Sequence, residues 1–249
     1  MPDKNLNTTS EKRKVIIIGA SSGIGRELAK VFSYHGFEVG ITGRREQLLK
    51  EISAELKTKT YISSFDVANT QTAIPALESL IKQMGRVDFI IISAGVGSIN
   101  EPLEWQYEKE TDETNVLGFT AMANVSFKYF LQNGSGHLAA ISSIAGLIGN
   151  SLAPAYSSSK AYISIYLKSL RNKALKTKKP IYVTDILPGF VRTAMAPGDN
   201  LFWVASPEKA TLQIYEALIK KKRVAYITRR WALIAWLIKI MPSWILSKI

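Results

Sequence analysis

No cysteine occurs anywhere in the 249 residues. That absence excludes a disulfide scaffold, a thiol nucleophile and a cysteine-ligated metal, and it fits a reducing compartment. Histidine is nearly as scarce. His35 and His137 are too few and too scattered for a zinc triad, and each reads as an ordinary structural or surface histidine. Acids are also short, with 20 Asp and Glu against 32 Lys and Arg, which leaves a formal net charge of +12. The chain has no internal repeat and no long linker, so it offers no domain boundary. Residues 1–13 lack an apolar core of the signal-peptide kind and are expected to form a flexible leader.

What is present points to a globular chain with a large core. Hydrophobic residues make up 47%, too many for disorder, and the length suits one α/β domain spanning 1–249. The positive charge is uneven. Residues 201–249 carry nine Lys/Arg against two Glu, and a second basic run holds Lys168, Arg171, Lys173, Lys176, Lys178 and Lys179. Such charge can serve nucleic acid, an anionic membrane or an anionic ligand, or be a solvated face. No nucleic-acid reading module accompanies it, so no nucleic acid is expected as a partner.

Short apolar runs alternate with helical periodicity. Lys14–Gly19, Phe37–Ile41, Thr60–Phe65, Val87–Ile92, His137–Ile141, Ile181–Ile186 and Val224–Thr228 read as strands, with helices such as Ile24–Tyr34 and Arg45–Leu56 between them. The pattern predicts an α/β, doubly wound, Rossmann-type fold with about seven mostly parallel strands and helices on both faces. Ligands of such sheets bind at the carboxyl ends of the strands. Those ends hold Gly19, Thr42-Gly43-Arg44, Asp66, Ser93-Ala94-Gly95, Ser142-Ser143 and Pro188-Gly189, so small and polar residues gather on one edge.

Gly19-Ala20-Ser21-Ser22-Gly23-Ile24-Gly25 joins the first strand to the first helix. Its glycines let backbone amides approach a phosphate, and the helix N-terminus adds its dipole. The second strand ends in Gly43-Arg44-Arg45, where an acid would otherwise take a ribose 2′-hydroxyl. Arginine there suits a 2′-phosphate and predicts NADP(H), the plain alternative being solvated helix-entry charges. Asp66-Val67 follows the third strand, and its carboxylate can accept from an adenine amino group or cap the next helix. Tyr156 and Lys160 are four residues apart, one above the other on a helix face. An ammonium beside a phenol favours phenolate. Asn115 sits inside a helical stretch, where it needs a reason such as a buried hydrogen bond.

Taken in order, these motifs resemble the short-chain dehydrogenase/reductase superfamily, classical type, from Lys14 to about Thr228. The resemblance rests on Gly19–Gly25, Asp66, Ser93–Gly95, Asn115, Ser143, Tyr156 with Lys160, and Pro188-Gly189 with Thr193. It implies that Tyr156 is the general acid in carbonyl reduction and the base in alcohol oxidation. Ser143 is then the hydrogen-bond donor to the substrate oxygen, favoured over Ser142 by its thirteen-residue offset from Tyr156. Lys160 would hold the nicotinamide ribose and lower the Tyr156 pKa, and Asn115 would anchor a relay water. Cofactor contacts are implied for Gly19, Ser21, Ser22, Gly23, Ile24, Gly25, Arg44, Arg45, Asp66, Val67, Ala94, Gly95, Tyr156, Lys160, Pro188, Gly189, Val191 and Thr193, with Ser22 and Arg44 at the 2′-phosphate and Ile186 bordering the nicotinamide. One departure is Ser93, where the family usually has asparagine. No metal is expected. The alternative is a non-catalytic NADPH sensor acting through its tail.

Ala194–Ala205 matches the family's substrate lid, with Met195, Leu201, Phe202 and Trp203 as an apolar inner face, which suggests a hydrophobic carbonyl or alcohol substrate. The tail, 229–249, is apolar around most of a helix, carries three tryptophans and has basic flanks. Three readings stay open: a peripheral helix in a membrane interface, a contact in a homo-oligomer (dimer or tetramer), or packing over the substrate pocket. The expected location is cytoplasmic, with the tail able to meet the cytoplasmic face of a membrane.

Overall fold

The computed structural model describes residues 12–193 and 202–242. Most of the expected leader, the stretch of the expected lid that includes Met195 and Leu201, and the tail from residue 243 lie outside the described residues. Seven strands form one sheet: β1 (Lys14–Ile18), β2 (Glu38–Gly43), β3 (Thr60–Ser64), β4 (Phe89–Ile92), β5 (Gly136–Ile141), β6 (Ile181–Pro188) and β7 (Val224–Ile227). Their order is β3-β2-β1-β4-β5-β6-β7, and every pairing is parallel. The expectation of a mostly parallel sheet is met by a wholly parallel one. β-Branched runs such as Val15-Ile16-Ile17-Ile18 suit strands covered on both faces, because alternate side chains enter opposite cores.

Helices α1 (Gly23–Tyr34), α2 (Glu46–Glu55) and α7 (Pro207–Ile219) cover one face. Helices α3 (Thr70–Met84), α5 (Phe119–Asn133) and α6 (Pro154–Thr177) cover the other. Within β1, Ile16 and Ile18 enter the core under α3, α5 and α6, while Val15 and Ile17 enter the core under α1, α2 and α7. All four are fully buried, each contributing about 1.5–3 kcal/mol of apolar burial. A short α4 (Trp105–Asp112) leads into α5 through a π-helical turn over Glu113–Gly118, and α8 (Trp231–Ile240) follows the last strand.

Sequence neighbours run outward from β1 in one direction through β2 and β3, and in the other from β4 to β7. The reversal opens a crevice between the carboxyl ends of β1 and β4, the place where an open parallel sheet accepts a ligand.

Candidate active site

The β1–α1 turn occupies that crevice. Gly19 and Gly23 have φ of +90° and +55°, a region costly for other residues. A Cβ on Gly19 would stand 2.4 Å from the Ala94 nitrogen, and one on Gly25 would stand 2.0 Å from the Gly19 carbonyl oxygen. The turn is therefore pressed against the β4 loop on one side and its own helix on the other. Helix α1 starts with no side-chain cap from Ser22 and no acid in its first turn. An N-terminus left in that state offers amides and dipole to an anion. Arg45 Nη2 donates to Ser21 Oγ at 3.0 Å and Ser22 Oγ at 2.9 Å, so a guanidinium and two hydroxyls stand at the turn.

Arg44 points elsewhere. Its Nη1 lies 3.6 Å from Asp66 Oδ2, and Asp66 Oδ1 accepts from the Ala68 amide at 3.0 Å. Of the two arginines after β2, Arg45 is therefore the one beside Ser22, while Arg44 is drawn to the Asp66 carboxylate. Asp66 holds the turn into α3, whose cap is Asn69, accepting from the Thr72 amide at 3.3 Å. Thr193 closes the same region from above, its Cγ2 3.5 Å from where a Cβ on Gly23 would be.

Asn115 lies in the π-helical turn and is fully buried. Its Oδ1 accepts from the Val96 amide at 2.9 Å, and its Nδ2 donates to the Val96 carbonyl at 2.8 Å and to Ser159 Oγ at 3.0 Å. The side chain staples the loop after β4 to α6. That explains the polar residue inside a helix, and it commits both side-chain amide N–H groups to protein partners.

Pro154 starts α6 at a position where its missing amide costs nothing. Just beyond it, Tyr156 and Lys160 face the cleft, with Lys160 Nζ 5.5 Å from the centre of the Tyr156 ring. Lys160 is buried and donates to the Ile141 carbonyl at 3.1 Å. Burial pushes its pKa down to about 8, opposed by the charge of Asp185. The Tyr156 ring reaches the cleft, yet desolvation pushes its phenol above the ordinary value, and a hydrogen bond with Ser143 pulls the other way. The expected lowering of the Tyr156 pKa by Lys160 is therefore corrected: burial raises it, and the group that favours phenolate is the Ser143 hydroxyl. The choice between the serines is also explained. Both border the cleft, but Ser142 is buried and donates to Asp185 Oδ1 at 2.5 Å, whereas the Ser143 hydroxyl is the one that meets Tyr156.

The cleft measures about 1410 Å³. Among the described residues, the expected catalytic and cofactor-contact positions line it except Gly25, Asn115 and Ile186; Ile186 is instead fully buried in the core under α1, α2 and α7. Two contributors, Gly97 and Asp185, were missed from the sequence. A Cβ on Gly97 would stand 2.4 Å from Tyr156 Cδ2, so this glycine seats the phenol ring; its place two residues after Gly95 was the available signal. Asp185 lies behind Lys160. Helix α8 roofs the outer cleft through Trp231, Ile234 and Ile238. Trp231 covers Gly189, where a Cβ would meet its indole at 2.1 Å, and its ring lies 5.5 Å from Phe190 and 5.1 Å from Phe202. Of the three readings of the tail, packing over the pocket describes the inner face of α8. Leu233, Trp236 and Ile240 remain exposed on its outer face. Among the described residues no helix is long and apolar enough to cross a membrane, and no acid or histidine cluster could hold a metal.

Comparison with known proteins agrees with this geometry. The family model for short chain dehydrogenase matches residues 13–201. A dehydrogenase/reductase SDR family member 7B of Danio rerio is 34% identical over 197 residues, which cover 75% of this chain and 63% of that relative, so the chain spans less than two thirds of its length. An uncharacterized oxidoreductase of Mycobacterium tuberculosis is 30% identical over 242 residues, 93% of this chain and 94% of that one. Among solved structures, a short chain dehydrogenase/reductase of Burkholderia phymatum in complex with NAD superposes with a TM-score of 0.82 at 16% identity, over 91% of this chain and 92% of that one. An alcohol dehydrogenase of Thermococcus sibiricus complexed with 5-hydroxy-NADP gives 0.76 at 21% identity, over 87% and 95%. Fold, motif order and relatives agree: the chain belongs to the short chain dehydrogenase family of oxidoreductases.

Proposed function

We propose that this protein interconverts an apolar ketone or aldehyde and its alcohol, with NADP(H) as cofactor. The observation that carries the reading is the convergence of Ser143, Tyr156 and Lys160 in a cleft whose outer half is uncharged among the described residues. A nicotinamide bound in the cleft supplies or accepts the hydride. The chain's residues do the proton chemistry. Tyr156, its pKa raised by burial, stays protonated at neutral pH and donates to the carbonyl oxygen as charge builds there. Ser143 donates a hydrogen bond to the same oxygen. Lys160 lies behind the phenol as a buried cation, positioned to hold ribose hydroxyls and to return a proton. With its side chain committed to Val96 and Ser159, Asn115 contributes to that relay through its backbone carbonyl in the π-helical turn, where the hydrogen-bond ladder shifts by one residue.

NADP(H) is favoured over NAD(H) by the end of β2. No acid stands there, and Arg45 with Ser21 and Ser22 offers a bidentate cation and two hydroxyls to a 2′-phosphate. The charged residues that line the cleft are Arg44, Arg45, Asp66 and Lys160, all at its cofactor end or catalytic floor. The outer walls are Ile144, Ile148, Phe190 and the inner face of α8, which suits a hydrophobic substrate. In the same reading the protein is cytoplasmic and a homo-oligomer, and the outer face of α8, with Arg229 and Arg230 at its start, rests on an anionic membrane surface. Titration with NADPH and NADH, then turnover over a panel of aliphatic and aromatic aldehydes and ketones, tests the core of the proposal. The expected result is tighter NADPH binding and reduction of the more apolar members. Tight binding without turnover across the panel would replace it with the sensor reading.

A further inference from the structure

One buried acid lies behind the cleft floor. β6 alternates its side chains, so Ile181 and Val183 enter the core beneath α6 while Ile186 enters the opposite one. Asp185 keeps the parity of Ile181 and Val183 and therefore points at α6. It is only 5% exposed. A carboxylate in such a place is costly unless hydrogen bonds and nearby cations hold it.

Burial raises the Asp185 pKa, and each polar or charged group facing it opposes that shift and favours the carboxylate. Ser142 Oγ, at the end of β5, donates to Asp185 Oδ1 at 2.5 Å. Ser164 hydrogen-bonds it from α6, and Lys160 and Arg171 act on it through their charges. Residues 160, 164 and 171 share one side of α6, as their spacing on a helix requires. Arg171 is not committed to the acid. Its Nε donates to the Val183 carbonyl at 3.0 Å and its Nη2 to the Arg223 carbonyl at 2.6 Å, and the Arg223 charge in turn opposes that of Arg171. Lys160 has a single hydrogen bond, to the Ile141 carbonyl. It is the deepest cation at the site, and Asp185 is the acid whose charge acts on it.

We propose that Asp185 is a positioning residue for the reaction: its buried carboxylate, gripped by Ser142 and Ser164, keeps charged the Lys160 ammonium that the Ile141 carbonyl holds behind Tyr156. The proposal rests on the catalytic reading above. An asparagine at this position is nearly isosteric, can still accept from Ser142 through Oδ1, and removes the charge.

The sign follows from the burial of Lys160. Desolvation already pulls its pKa to about 8, and loss of a nearby negative charge pulls it further down, by about one unit. Activity that needs charged Lys160 is then lost at lower pH. The experiment is the pH profile of kcat/KM for NADPH-dependent reduction of the best carbonyl in the panel, in wild type and Asp185→Asn. The high-pH limb of the variant should move down by about one pH unit while its NADPH affinity at pH 6 stays within about threefold of wild type. Ser164→Ala, a mild change at a half-buried helix position, removes one grip on the acid and should move the limb the same way by less. It serves if Asp185→Asn does not fold. Superposable profiles, or a uniform loss at all pH values, would overturn the proposal, since a merely structural acid scales the profile without shifting it. Tyr156→Phe in the same assay separates the two levels. If it retains turnover, the catalytic reading fails; if it is dead and the profiles still superpose, only the role of Asp185 fails.

Discussion

Gly97→Ala should disable the enzyme while leaving it folded and able to bind cofactor. The new Cβ would sit 2.4 Å from Tyr156 Cδ2 and 2.7 Å from Cε2. An ordinary carbon contact is about 3.5–4.0 Å, so the ring or the loop must yield by about 1 Å. Catalytic groups tolerate about 0.5 Å of misplacement, and an error of about 1 Å costs on the order of 100-fold in rate. That is roughly 2.7 kcal/mol of transition-state stabilisation. Overpacking also strains the fold, by about 1 kcal/mol at the low end of the usual range because the site lies on an open cleft, equivalent to roughly 2–4 °C in Tm. The assay is kcat for carbonyl reduction beside the NADPH Kd and the Tm of the same preparation. Gly149→Ala is the control: it lines the same cleft, and a Cβ there meets nothing within 4 Å. A Gly97→Ala enzyme with kcat near that of the control would refute the claim that Gly97 seats the phenol.

Three further outcomes follow from single features. Arg45→Ala should weaken NADPH about 10- to 100-fold and NADH by less than about threefold, the scale of one or two charged hydrogen bonds; Arg44→Ala should do less, since Arg44 is paired with Asp66, and fluorescence titration of both variants checks this. Trp231→Ala should raise KM for an apolar carbonyl about tenfold or more with the NADPH Kd little changed, because the indole roofs the outer cleft and removal of a buried tryptophan costs about 3–5 kcal/mol of local packing. His137 is buried against Thr184 at 2.7 Å, and burial drives its pKa from 6.5 down to about 3. The unfolded chain then binds a proton that the folded chain refuses, so this stability is complete above pH 6.5 and is lost as pH falls from there toward 3. The slope is about 1.4 kcal/mol per pH unit, and urea titrations of wild type and His137→Gln across that window should show a shallower decline in the variant.

The fold was legible because its signals are local. A β-branched run ending in a glycine turn states both a buried parallel strand and the close backbone approach that follows it, and all seven strands lie where the apolar runs placed them. Tyr156 and Lys160 were legible as neighbours because they are one helical turn apart, but their roles, and those of Ser143 and Asn115, came from the resemblance of the ordered motifs and not from spacing. What could not be read depended on contacts between distant segments. Whether Arg44 or Arg45 meets Ser22 is decided by the Asp66 carboxylate after β3, which draws Arg44 away. The sign of the Tyr156 shift depends on how much water the surrounding chain removes, and a pairwise rule about a neighbouring ammonium does not contain that. The tail looked able to face a membrane, a subunit or the pocket because it is apolar on most sides. The surface it covers is made by Gly189 and Phe190 in the loop that leaves β6, where the absence of one Cβ admits the Trp231 ring.

The central claim is that Tyr156 supplies the proton in carbonyl reduction from a cleft that binds the cofactor independently of it. The most direct test is Tyr156→Phe, assayed for NADPH binding and for single-turnover reduction of an apolar ketone. The account predicts an NADPH Kd within about threefold of wild type and a rate reduced by at least about 100-fold, the scale of general acid catalysis. A Tyr156→Phe enzyme that turns over at the wild-type rate would contradict it.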